Sequence, residues 1–72
     1  MEKINNYGKN NYLTERELEV LQYMKMGLTN KEIASKLMIT HHTVKAHIAA
    51  ILRKLGAKNR LEASMTARDL EL

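Results

Sequence analysis

Cysteine is missing from this chain, as are proline, phenylalanine and tryptophan, and glycine occurs only three times. Without cysteine there is neither a disulfide framework nor a thiolate metal site. Without proline, and with only Gly27 and Gly56 beyond Leu13, little interrupts a regular backbone, so helices joined by short turns are expected. No apolar run approaches the ~18 residues of a membrane span, and the opening MEKINNYGKNNY lacks the apolar core of a secretory signal. An unexported, cytoplasmic chain without a membrane partner is the expectation. Aspartate is almost absent too: Asp69 is the single example. Seventy-two residues make one domain at most, with a modest core and no cleft between lobes in which an acid, a base and a substrate could be enclosed. A binding module is expected, not an enzyme, with no cofactor and no small-molecule ligand.

What is present is positive charge, and it is local. From Leu28 to Arg60 seven basic residues face one acid, 7 − 1 = +6, whereas from Leu13 to Gly27 two basic residues face three acids, 2 − 3 = −1. Such a segment suits a polyanion. It is equally what a solvated basic face without a partner would look like.

Residues 1 to 12 hold four of the six asparagines and no apolar periodicity, the composition of a flexible arm or linker. The remainder, 13 to 72, reads as an all-α domain. Thr14 with Glu17 and Thr29 with Glu32 form capping boxes, Thr40 offers a third N-cap, and Asn59 with Glu62 a fourth. Gly27 and Gly56 mark left-handed stops, with Lys25 and Lys54 favouring the negative helix ends. These signals predict four helices, at about 14–26, 30–37, 41–55 and 60–70. Apolar spacing assigns Leu18, Leu21 and Met24 to the core from the first helix, Ile33, Ala34 and Leu37 from the second, and Leu61 with Met65 from the fourth.

The third helix is the most informative. Val44, Ile48, Ile51, Leu52 and Leu55 fall within about 100° of arc. The opposite side carries His42, Ala46, Ala49, Ala50 and Arg53, flanked by Lys45 on one edge and Thr43, His47 and Lys54 on the other. A slim, positive, alanine-lined face fits a major groove about 12 Å wide, where methyls can meet thymine. Only Met38 and Ile39 separate Leu37 from Thr40, so a short helix meets a long one through a tight corner. That is a helix-turn-helix arrangement over about 28–47, although a plain helical bundle would share the pattern.

The stretch LTERELEVLQYMKMGLTNKEIASKLMITHHTVKAHIAAILRKLGAKNRLEA resembles the LuxR-type helix-turn-helix domain of NarL/FixJ response regulators, quorum-sensing LuxR proteins and free-standing GerE-like regulators. The linked segments LTERE, TNKEIA, ITxxTVKxH, KLG and NRLEA carry the resemblance, which covers residues 13 to about 68. It implies a sequence-specific, double-stranded DNA-binding transcription regulator in the nucleoid, either the output domain of a two-component response regulator or a complete small regulator, with RNA polymerase as a further partner. The resemblance places base contacts at Lys45, Ala46 and Ala49, and the helical spacing adds His42. Phosphate contacts are implied at Asn30, Lys31, Thr40, Thr43 and His47, and at Arg53, Lys54 and Lys58 around the basic end of the third helix. The fourth helix resembles a dimerisation element, in which small Ala63, Ser64 and Ala67 would let two copies approach as a homodimer on inverted half-sites. Ala49 and Ala50 depart from the polar or basic residues of many relatives, so readout would lean on Lys45, thymine methyls and DNA shape.

Two rivals remain. His41, His42 and His47 are separated by one, five and six residues, a poor match to the i, i+4 spacing of two ligands on one helix face, so no metal is expected. A helical protein-protein interaction module without DNA affinity would use the fourth helix and Met24, Met26, Met38 and Met65, although methionine at helical spacing is more often core filler.

Overall fold

The computed structural model describes residues 12–72. The arm expected over 1 to 12 lies, except for Tyr12, outside them. Among the described residues there are four helices and no strands: α1 (Glu15–Lys25), α2 (Asn30–Leu37), α3 (His41–Leu55) and α4 (Arg60–Asp69). The all-α expectation holds, with helix bounds within a residue of those read from caps and stops.

Each start is held by its cap. In α1 the Glu17 amide donates to Thr14 Oγ1 at 3.0 Å while the Thr14 amide donates to Glu17 Oε1 at 3.0 Å. In α2 Thr29 and Glu32 repeat this at 3.1 and 2.8 Å. Thr40 accepts from the Thr43 amide at 3.0 Å to open α3, and Asn59 accepts from the Glu62 amide at 2.9 Å to open α4. The Glu62 carboxylate reaches one residue further back, to the Lys58 amide.

Every helix also ends the same way. Gly27, Met38, Gly56 and Glu71 all lie in the left-handed region, with φ of 88°, 58°, 68° and 58°. The next amides along the chain, those of Leu28, Ile39, Ala57 and Leu72, each turn back to the carbonyl five residues earlier, at 2.8 to 3.1 Å. Those four residues are apolar and pack against the core, which completes the Schellman arrangement and fixes the direction in which each connection leaves.

α3 packs against all three other helices, and α1 packs against both α3 and α4. The core joins Leu13, Val20, Leu21, Met24, Ile33, Val44, Ile48, Ile51 and Leu55 to Ala63 and Ala67. Leu18, Ala34 and Leu37 pack at its margin. The expected stripe on α4 is wrong. Leu61 and Met65 are 69% and 51% exposed, while Ala63 and Ala67 are fully buried and Ser64 nearly so. At 100° per residue the two faces lie ~200° apart. Against α1 and α3, whose larger side chains fill the space, only a face of small residues brings the α4 backbone close enough.

Candidate nucleic-acid interface

α3 presents to solvent the face expected of it. His42, Lys45, Ala46, Ala49 and Arg53 are exposed, with Ala50, Thr43 and His47 half-buried at its margins. The buried anchors Val44, Ile48, Ile51 and Leu55 hold the opposite face. The cap of α3 has a second use, because Thr40 Oγ1 and Thr43 Oγ1 lie 2.9 Å apart. One hydroxyl proton joins the two oxygens, which leaves the other for a further acceptor.

At the start of α2, Lys31 is exposed and Asn30 half-buried. The corner between α2 and α3 turns on Met38, which is 89% exposed. Lys58, just beyond α3, is exposed, as is Lys36 on α2. The fold therefore brings Lys31, Thr40, Thr43, Lys45 and Arg53 onto two helices and the tight corner that joins them, all with solvent access.

Lys54 does not join them. Its ammonium, expected at a phosphate, donates to Glu17 Oε1 at 2.8 Å in a pair whose carboxylate is buried, so it is turned toward α1. Burial pushes the Glu17 carboxyl up. The Lys54 hydrogen bond, the Thr14 amide and the charges of Lys54 and His47 outweigh that and hold it below its ordinary value of 4.5. The same oxygen caps α1 and ties α1 to α3. Ala63, Ser64 and Ala67 are corrected as well: they are buried within the protomer and cannot face a second copy. No group of three or more His, Cys, Asp or Glu able to hold a metal occurs among the described residues.

Sequence reasoning missed Arg60. Its guanidinium crosses from the start of α4 to the start of α2, donating to Asn30 Oδ1 and to the Leu28 carbonyl. A separation of thirty residues leaves no local signal of such a contact.

Residues 11–67 match the family described as bacterial regulatory proteins, luxR family. The chain belongs to that family. LuxR-family domains are DNA-binding, helix-turn-helix elements of transcription regulation, not an enzyme class. Among relatives, the glycerol metabolism activator of Pseudomonas putida is 49% identical over 59 residues, 82% of this chain and 27% of the relative. The nitrate/nitrite response regulator protein NarP of Escherichia coli K12 is 53% identical over 53 residues, 74% of this chain and 25% of its own length. The transcriptional regulatory protein LnrK of Bacillus subtilis 168 is likewise 53% identical over 53 residues, 74% of this chain and 24% of the relative. This LuxR-family chain thus spans about a quarter of the length of the curated relatives it matches. No helix among its described residues is long and apolar enough to cross a membrane.

Proposed function

We propose that the chain binds double-stranded DNA with α3 in the major groove and serves as the DNA-binding output domain of a two-component response regulator. The supporting observation is the exposed Lys45, Ala46 and Ala49 face. Its methyls permit close approach to base edges, and a single ammonium can reach guanine O6 or N7. His42 extends that face toward the corner. Asn30, Lys31, Thr40, Thr43, His47, Arg53 and Lys58 surround it with donors for phosphate, and the amino ends of α2 and α3 direct backbone amides the same way. Counterion release from those phosphates gives affinity and orientation, and Lys45 gives discrimination.

The homodimer belongs to the same reading, with its contact moved to the exposed α4 face. Leu61 and Met65 are one turn apart on that face and supply the apolar surface that two copies on inverted half-sites would share. A nucleoid location in the cytoplasm and contact with RNA polymerase complete the role proposed for a transcription regulator.

The test starts with a duplex selected from a random pool. Lys45→Ala is expected to lose ~10-fold or more on the selected duplex and little on random DNA, since a good base contact is worth about 1 to 3 kcal/mol. Lys31→Ala is expected to weaken both equally and to reduce the salt slope by about 1. Equal losses on the two duplexes for Lys45→Ala would remove its assigned role. No affinity for any duplex, even in low salt, would favour the protein-interaction module.

A further inference from the structure

Asn30 stands where a neutral amide could present either of its ends to a ligand, and only one of them suits a phosphate. The carbonyl oxygen would repel it, whereas the Nδ2 end supplies two donors. Arg60 settles which end faces out. The half-buried guanidinium, a donor with no acceptor capacity, takes Asn30 Oδ1 with Nη1 and the Leu28 carbonyl with Nη2, the latter at 2.8 Å. A planar fork gripping two oxygens has little freedom to rotate. With Oδ1 held inside, Nδ2 is directed away from Arg60. It joins the backbone amides of Asn30 and Lys31 in the first turn of α2, which an α-helix leaves without intrahelical acceptors.

We propose that Arg60 is a positioning residue for DNA binding: by fixing the Asn30 amide with nitrogen outward, it adds that amide's two donors to the free backbone N–H groups at the start of α2 for a backbone phosphate. The inference rests on the reading of Asn30 as a phosphate contact. It also gives α4 a direct polar link to α2, through which the placement of one helix bears on the other.

Duplex affinity is to be measured for the parent, Asn30→Ala, Arg60→Lys, the double variant and Asn30→Asp, with thermal melting of each. Asn30→Ala is expected to weaken binding about three- to tenfold. Arg60→Lys keeps the charge but loses the fork, and is expected to weaken it by a similar factor. The double variant should bind no worse than Asn30→Ala alone, because both changes remove the same oriented amide. Asn30→Asp preserves the acceptor for Arg60 and the fold, yet turns an anionic oxygen toward the phosphate, so a loss of more than about tenfold is expected. Losses that add in full would make Arg60 a general brace or a separate contact and overturn the inference, as would parental binding by Arg60→Lys or Asn30→Asp. Parental binding by Asn30→Ala would overturn it while leaving α3 and Lys45 as the readers. A parent chain that binds no duplex in low salt would sink the functional reading and this inference together.

Discussion

Glu17 Oε1 does two things at once: it accepts the Thr14 amide at 3.0 Å and the Lys54 ammonium at 2.8 Å. The first contact begins α1 and was legible in the spacing of TERE. The second joins α1 to α3, 37 residues away, and no local pattern announces it. Because its neighbours hold this carboxyl below 4.5, the folded protein binds fewer protons here than the unfolded chain. The stabilisation is therefore present above pH 4.5 and is lost as the pH falls through the lowered folded value. Glu17→Gln is expected to cost about 1.5 to 3 kcal/mol at pH 7, the range for hydrogen bonds to charged groups. The deficit should shrink in strongly acidic solution, where the parent carboxyl is protonated as well. Urea melts at neutral and acidic pH check this, and a deficit independent of pH would show that the charge of Glu17 is irrelevant.

The pairing of Lys54, expected at a phosphate, was hidden for the same reason. A lysine at the end of a basic helix looks free until the helix that packs beside it is known. Arg60 is a second case: counted only as a charge in the basic segment, it proves to direct its donors at the neutral oxygens of Asn30 and Leu28.

At the scale of elements, starts and stops were well encoded because capping chemistry is local. Thr14, Thr29, Thr40 and Asn59 sit where the helices begin, and two of the four ends use glycine. The other two ends force Met38 and Glu71 into the left-handed region, where a Cβ crowds the next carbonyl. At Met38 the neighbouring residue imposes this geometry. Ile39 must reach the core at the corner between α2 and α3, and its amide returns to the Ala34 carbonyl at 3.0 Å. Met38→Gly removes the crowding, while the side chain lost is almost wholly in solvent. Relief of about 1 to 2 kcal/mol of strain, less the extra freedom glycine has in the unfolded chain, predicts a net gain of about 0.5 to 1 kcal/mol. A higher urea midpoint at unchanged slope is the expected result, and an unchanged or lower midpoint would mean that Met38 is not strained.

For the whole molecule, the placement of α4 decides what surface is left for a second copy. Apolar spacing put its large residues Leu61 and Met65 inside and the family resemblance put its small ones at a second copy, whereas the small ones are inside. Leu61→Glu and Met65→Glu are expected to leave the melting temperature close to the parent's, since both side chains are mostly exposed, and to abolish cooperative occupation of paired half-sites. Ala63→Leu is expected to cost about 1 to 3 kcal/mol by overfilling the contact of α4 with its own core. Thermal melting and binding to one versus two half-sites separate the two effects. Unchanged cooperativity in both glutamate variants would remove this face from the dimer.

The sequence by itself determined the helices, their caps, the apolar face of α3 and the polarity of the opposite face, because these depend on residues within a turn or two of one another. Its linked motifs also carried the resemblance to the LuxR-type domain. Only the tertiary structure decided which face of α4 is inside, which cations remain in solvent, and which amide end Asn30 turns outward. Those outcomes depend on the space left between helices and on partners thirty or more residues away, where close packing and pairing of buried charge override local hydrophobicity.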